Sequence, residues 1–343
     1  MTGRVLIYRT GSLGDTVVAL PCLKLIRRTF PDAELRVLTN APVASSAPPL
    51  AAVLEGMGLV DGYFDYPAPL RDLGKVWRLA RDIRRWRPGR VIYLTRRETP
   101  SQVRRDAAFF RVCGIRRIDG LPQTRDLLKN RQLRDGLFEC EAERLARTMA
   151  ALGAIDLSDP AVWDLGLTET DRALPRRLIA ECVGALPFIA VSIGTKQPAN
   201  DWGNDNWRTV AEQLCRLYPH KIILVGAEAD RAPSDAVMQG LGDRAVNLCG
   251  RFTVRESAAL IQAASLFAGH DSGPMHLAAA VGTPLVAVFS RLWVPGIWYP
   301  MGSPAAVLYP SEGTQSIAPA MVLDAVQALL PPAGGARRLA GEP

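Results

Sequence analysis

The chain has 343 residues, 48% of them hydrophobic and 22% charged, and carries a formal net charge of +7. That length suits about two domains with cores of their own, and the composition excludes wholesale disorder. No apolar run approaches the ~20 residues of a membrane span, the opening stretch lacks a secretion signal's charged start and cleavage site, and the six scattered cysteines (Cys22, Cys113, Cys140, Cys182, Cys215, Cys249) make no Cys-x-x-Cys pair, so free thiols and a cytoplasmic location are expected.

Taken in order, residues 4–9 form a short apolar run suited to a buried parallel strand. The turn Thr10-Gly11-Ser12-Leu13-Gly14-Asp15 leads into an apolar helix expected over 16–29 and stopped by Pro31. It is glycine-rich but has neither the spacing of Gly-x-Gly-x-x-Gly nor the Lys-Ser/Thr of a Walker loop. A second strand at 34–39 completes a β-α-β unit, and 63–66 reads as a short strand. An amphipathic helix is expected over 70–87 with Leu73, Val76, Trp77, Ala80 and Ile83 on one face. A strand at 91–94 and helices at 100–113 and 139–152 follow, and the aperiodic stretch 156–165 with Pro160 is the linker candidate.

The second half repeats the alternation. Strands are expected at 188–193, 221–226, 245–248, 264–268 and 285–289, with helices between them and a last helix near 318–330; 331–343 reads as a disordered tail. Thr253 and Glu256 make a capping box. Two strand–helix series predict two facing, Rossmann-like, doubly wound α/β domains, 1–165 and 166–330, with ligands at the carboxyl ends of strands. The turns 11–15 and 271–275 are then candidate walls of one cleft.

The turn at 271–275 has the chemistry of an anion site. Asp271 and Ser272 are N-cap types, Pro274 suits the first helical turn, and Gly282 suits a helix end. A helix opened there points free N–H groups and the positive end of its dipole outward, which suits phosphate. The plain alternative is a well-capped connection that binds nothing. Charge is uneven as well: residues 78–117 hold thirteen arginines against Asp82, Glu98 and Asp106, a local net of +10. A phosphorylated glycolipid, a membrane surface and nucleic acid all remain open as partners of such a face.

Arg9 to Asp15 before an apolar helix ending near Phe30-Pro31-Asp32-Ala33, together with Asp271 to Ala280 followed by Gly282-Thr283-Pro284, resembles glycosyltransferase family 9, the ADP-heptose:lipopolysaccharide heptosyltransferases. The loop 194–207 fits as well. The resemblance implies a GT-B architecture, with acceptor on the first domain and nucleotide sugar, ADP-heptose as first donor, on the second. It implies inverting transfer with no metal or other cofactor, to an anionic glycolipid or a small glycoside, as in lipopolysaccharide biosynthesis. A peripheral contact with the inner face of a membrane is compatible with it, and specific nucleic-acid binding is not expected.

The resemblance makes Asp15 the base that takes the acceptor proton, with Gly11, Ser12 and Gly14 on the acceptor side. A helix cap is the plain alternative for Asp15. The diphosphate is expected over Ser272, Gly273, Pro274 and Met275, where Pro274 has no N–H to give. Asp271 suits donor-sugar hydroxyls, Asn247 the ribose, and His276 either the donor or simple core packing. Heptosyltransferases commonly carry Lys-x-Trp-Pro in the middle loop, whereas this chain reads Asn200-Asp201-Trp202-Gly203; Lys196 is the expected stand-in, an ordinary exposed loop lysine being the plain alternative, and Thr195 beside it is expected on the donor side. Val18 stands where the lipopolysaccharide enzymes often place a histidine, and Ser290-Arg291-Leu292 replaces the usual Gly-Pro-Thr, with Arg291 a further phosphate contact. Trp202 and Trp207 suit either ligand stacking or helix-start packing. Two rivals remain: another GT-B nucleotide-sugar enzyme such as an epimerase, and a basic protein that binds anionic polymers.

Overall fold

The computed structural model describes residues 3–40, 50–66, 72–134, 136–310 and 312–330, so the tail expected at 331–343 lies outside the described residues. The chain divides into two compact units, residues 1–166 with 294–299, and residues 167–293 with 300–343. The return of 294–299 to the first unit had no sequence signal. There Phe138 N–H donates to Pro295 O (2.9 Å) and Glu141 N–H to Ile297 O (2.8 Å).

The first unit runs β1 (Arg4–Tyr8), α1 (Leu13–Val18), α2 (Leu20–Thr29), β2 (Glu34–Asn40), α3 (Leu50–Leu54), β3 (Gly62–Tyr66), α4 (Leu73–Trp86), β4 (Arg90–Tyr93), α5 (Pro100–Val112), β5 (Ile118–Asp119), α6 (Arg125–Leu128), β6 (Gln132–Arg134), β7 (Leu137–Phe138) and α7 (Glu141–Thr148). The helix expected over 16–29 starts earlier and is two helices meeting at Ala19. Pro21, in the first turn of the second, has no N–H for an unbroken ladder, and a first turn tolerates that. The sheet order is β3-β2-β1-β4-β5, every pair parallel. Helices on both faces bury its central strands, and Leu6, Ile7, Val37, Leu38, Val91 and Ile92 lose all contact with solvent.

The second unit runs α8 (Glu169–Cys182), β8 (Phe188–Ser192), α9 (Asn204–Leu217), β9 (Lys221–Leu224), α10 (Arg231–Met238), β10 (Ala245–Asn247), α11 (Val254–Ala263), β11 (Leu266–His270), α12 (Gly273–Ala280), β12 (Leu285–Val288), β13 (Ala305–Leu308) and α13 (Pro319–Leu329). Its sheet is β10-β9-β8-β11-β12-β13, again all parallel. Both sheets have the doubly wound order, in which the third strand lies at one edge and the fourth returns beside the first. The switch point therefore falls between β1 and β4 in one unit and between β8 and β11 in the other. Loops leaving those strands at their carboxyl ends stand where doubly wound sheets bind ligands.

One expected face is corrected. On α4 the structure buries Leu79, Ala80, Ile83 and Trp86, whereas Leu73 and Trp77 are 73% and 67% exposed. All six cysteines are free thiols, four of them buried.

Candidate functional site

In the first unit the turn after β1 is held by its own short polar groups. Ser12 caps α1, and Asp15 stands in the first turn, three residues on. Ser12 N–H and Oγ–H donate to Asp15 Oδ2 at 2.7 and 3.0 Å. Gly11 N–H donates to Asn40 Oδ1 at the end of β2 (2.7 Å), and Thr10 N–H to Thr95 Oγ1 beyond β4 (3.1 Å). Gly11 has φ +139°, and an added Cβ would fall 2.5 Å from Asp15 Cβ. Glycine is needed there to let Asp15 fold back over the turn. Gly14 is buried within α1, and Val18, at 3% exposure, is core.

Asp15 therefore does part of what a cap does, yet its side chain keeps 26% exposure and has a second partner that sequence reading missed. Arg9 follows β1 and is wholly buried. Its Nη1 donates to Leu94 O (2.7 Å), while Nη2 donates to Asp15 O and lies 3.6 Å from Asp15 Oδ1. Burial lowers the Arg9 pKa and the charge of Asp15 opposes that. Behind it, Glu141 is fully buried and gripped by Arg144 at 2.8 and 2.6 Å, with Arg96 at 3.0 Å. Burial alone would raise the Glu141 carboxyl, but the hydrogen bonds and charges of Arg144, Arg96 and Arg9 hold it below its ordinary value. The signal for Arg9 was a cation at the end of an apolar strand, where burial demands a partner.

The arginine-rich stretch divides. Arg96, Arg97, Arg90, Arg105 and Arg117 pair with Glu141, Asp106, Asp119, Asp106 and Asp119. Of the outward arginines Arg84, Arg104 and Arg105, the first two are exposed on α4 and α5 without a carboxylate partner among the described residues, and Arg105 is tied to Asp106.

In the second unit the turn expected to hold an anion lies at the carboxyl end of β11. Ser272 is the N-cap of α12 and makes no side-chain cap bond; its Oγ is buried with no hydrogen-bond partner among the described residues. The first intrahelical donor is His276 N–H, to Ser272 O, which leaves the N–H groups of Gly273 and Met275 without helical acceptors. Asp271 is half-buried, with its N–H on Val288 O (3.0 Å), and Met275 and His276 are buried. Lys196 and Arg291 are exposed, on the loops after β8 and β12. Thr195 Oγ1 donates to Gln197 O (3.2 Å). Asn247 is occupied within the fold, since its amide donates to Arg231 O (2.9 Å) and Asp235 Oδ1 (2.7 Å) and its carbonyl accepts Cys249 N–H (3.0 Å).

The two departures from the family pattern meet each other. Asn200, in the place of the usual lysine, is buried, and its Oδ1 accepts the hydroxyl of Ser290, the first residue of the altered segment after β12. Trp202 and Trp207 are also settled. Both are core, with rings edge to face at 4.9 Å, and Trp202 Nε1–H donates to Ile317 O (2.8 Å). Helix-start packing accounts for them, not ligand stacking.

Two residues absent from the sequence-based site stand out. Asp230 lies at the carboxyl ends of β8 and β9, where Gly194 and Gly226 leave room for its carboxylate; it accepts Ala227 N–H (2.8 Å), and burial raises its pKa. His270 ends β11 directly before the turn at 271–275 and is completely buried. Its Nε2 accepts Trp202 N–H (3.1 Å) and Trp207 Nε1–H (3.2 Å), and Nδ1 is 2.9 Å from Ile193 O. Two donors on Nε2 and a carbonyl at Nδ1 fit only the neutral ring with its proton on Nδ1. Burial lowers its pKa from 6.5 to about 4, against the charge of Asp201 and the Ile193 bond. One imidazole thus joins the loop after β8 to the turn after β11.

The chain matches glycosyltransferase family 9 (heptosyltransferase) over residues 77–310. It is 29% identical to lipooligosaccharide heptosyltransferase 2 of Haemophilus influenzae over 136 residues, 38% of this chain and 39% of that protein, so the match spans about two fifths of that relative's length. It is 24% identical to lipopolysaccharide heptosyltransferase 1 of Pseudomonas aeruginosa over 305 residues, 83% of this chain and 78% of that one. The E. coli heptosyltransferase WaaC, solved with ADP-2-deoxy-2-fluoro heptose, superposes with a TM-score of 0.66 at 17% identity, covering 95% and 99% of the two chains. At that identity the likeness is one of fold.

The His270 linkage has a sign. The folded ring stays neutral down to about pH 4, whereas the unfolded ring charges below 6.5, so the unfolded chain binds the extra proton between them. The contribution is complete above pH 6.5 and is lost as pH falls toward 4, about 3 kcal/mol in all. Denaturant unfolding across that window is expected to show a steeper loss for the native chain than for His270→Gln, which cannot charge. Parallel curves would contradict the assignment.

Proposed function

This chain belongs to glycosyltransferase family 9, and on that premise we propose that it moves a heptose-like sugar from a nucleoside diphosphate sugar, ADP-heptose first, to an acceptor hydroxyl, with inversion and without a metal ion. The acceptor class that fits is an anionic glycolipid or a small glycoside, as in glycoconjugate biosynthesis. The observation that carries the reading is the start of α12: free N–H groups on Gly273 and Met275 and a buried, unpaired Ser272 hydroxyl, at the switch point of a doubly wound sheet.

In this mechanism the diphosphate rests against those donors. The Asp15 carboxylate takes the proton of the acceptor hydroxyl while its oxygen bonds to the anomeric carbon. The bond from that carbon to the diphosphate oxygen breaks, and the electron pair leaves with the phosphate. Attack opposite the leaving group inverts the anomeric centre. Amides and the helix dipole neutralise the charge that develops, and Lys196 and Arg291 add cations beside it. Asp271 and Asp230 offer carboxylates to sugar hydroxyls. Arg9 and Ser12 fix the carboxylate of Asp15, so its lone pair is aimed before the acceptor arrives.

Asp15→Asn keeps the shape and the bond from Ser12, so ADP affinity is expected to stay while kcat falls ~10²- to 10⁴-fold. Gly273→Leu covers the amides and should weaken ADP binding first. A near-normal kcat in Asp15→Asn would leave that residue as a turn-holding carboxylate only, and epimerised donor in place of a transferred sugar would point to the rival enzyme class.

Transfer assayed in excess EDTA is expected to run at the rate seen without it. Loss of turnover that magnesium or manganese restores would contradict neutralisation by amides and the helix dipole.

A further inference from the structure

In the second unit, loops leave the carboxyl ends of the adjacent strands β8, β11 and β12. The first carries Asn200, the second is the turn at 271–275, and the third carries Ser290 and Arg291. Asp271 N–H donates to Val288 O (3.0 Å), so the second loop starts against the strand end from which the third departs.

Ser290, at 2% exposure, holds its neighbours in two directions. Its Oγ accepts Leu292 N–H (3.3 Å) and its carbonyl accepts Trp293 N–H (3.5 Å), which folds 290–293 into a turn with Arg291 in the second position. The hydroxyl proton is then left to donate, and it goes to Asn200 Oδ1. The far side of the turn is fixed as well, since Tyr309 Oη–H donates to Trp293 O (2.8 Å). Arg291 is exposed at the tip, with no carboxylate partner among the described residues.

Asn200 is a firm anchor for that turn. Its N–H donates to Gln197 O (2.8 Å), Ala199 O accepts Thr314 Oγ1–H (3.0 Å), and Trp202 N–H donates to His270 Nε2 (3.1 Å). The Asn200 side chain is buried, where a neutral amide is tolerated with or without a ligand. An ammonium in that place would need an anion at all times. The cation that heptosyltransferases commonly carry at this position is thus missing, and an unpaired cation stands on the loop that Asn200 ties down.

We infer that Arg291 is the cation that meets the diphosphate of the donor, and that Ser290 and Asn200 are positioning residues that act through it. The inference rests on the donor-site reading proposed above and names the charge partner of that site. An arginine on a loose loop loses backbone freedom when it binds, whereas a turn fastened at Ser290 and Trp293 has lost it beforehand. The guanidinium fork fits two phosphate oxygens at once and leaves others to the amides of α12.

The test is calorimetric titration of the full chain with ADP and adenosine, and with UDP and uridine. Arg291→Gln should weaken binding of the diphosphate roughly tenfold and change nucleoside affinity by less than about twofold. Ser290→Ala and Asn200→Ala untie the turn, and each should weaken diphosphate binding roughly threefold. Added to Arg291→Gln, either change should cost the diphosphate nothing further, although both should lower the thermal unfolding midpoint by breaking a buried bond. Native-like diphosphate affinity in Arg291→Gln, or an equal loss for diphosphate and nucleoside, would overturn the inference while leaving the donor site standing. A full further loss on adding Ser290→Ala to Arg291→Gln would reduce the pair to a structural tie and overturn its positioning role. A folded native chain that binds neither ADP nor UDP would remove the donor-site reading, and this inference with it.

Discussion

The turn at the carboxyl end of β11 depends on His270 remaining uncharged. A buried imidazole that accepts two N–H donors on one nitrogen has no room for a proton there, and protonation would set two donors against a third. The backbone of Trp202, the indole of Trp207 and the carbonyl of Ile193 all converge on that ring. It therefore fixes the spacing between the loop that carries Lys196 and Asn200 and the turn that carries Ser272 and Gly273. Asn200 adds a second tie, to Ser290, and Thr314 Oγ1 a third, to Ala199 O (3.0 Å). A loop held at three points presents its backbone in one conformation, which an anion site built from amides requires.

The first unit solves the same problem with a charge instead of a neutral ring. Arg9 follows β1 as His270 ends β11, and each side chain crosses the switch point of its own sheet, to Leu94 O in one case and Ile193 O in the other. A buried guanidinium is costly unless its partners are complete, and Arg9 Nε has none among the described residues. Its remaining nitrogens are spent on Leu94 and Asp15, so the orientation of the Asp15 carboxylate is coupled to the integrity of the core behind it.

Much of this was legible in the chain. Short apolar runs at 4–9, 188–193 and 285–289 announce buried parallel strands, and the Asp-Ser-Gly-Pro turn announces a helix start because each residue type has one favoured place in it. What was not legible depends on partners far away in sequence. Nothing in the order of residues ties 294–299 to Phe138 and Glu141. The strands β5 and β7 have two residues each, too few for a pattern. Helix α8 carries a Thr168–Asp171 capping box, but Pro175 inside it interrupts the expected signature. Periodicity grouped Leu73 and Trp77 with Ala80 and Ile83, although the core takes only the second pair; an apolar stripe shows a face, not what covers it. His276 drew attention by sitting in the motif, while His270, six residues earlier, is the histidine whose hydrogen bonds hold the turn in place.

In the transfer proposed for this chain, the start of α12 receives the nucleotide diphosphate through backbone amides. The most direct measurement is the amide spectrum of the isotopically labelled full chain as ADP is added. The Gly273 and Met275 signals are expected to move most and to follow one saturation curve, with the Trp207 indole N–H on His270 responding at the same ADP concentration. Saturation by ADP that leaves the Gly273 and Met275 amides in place while others move would contradict it.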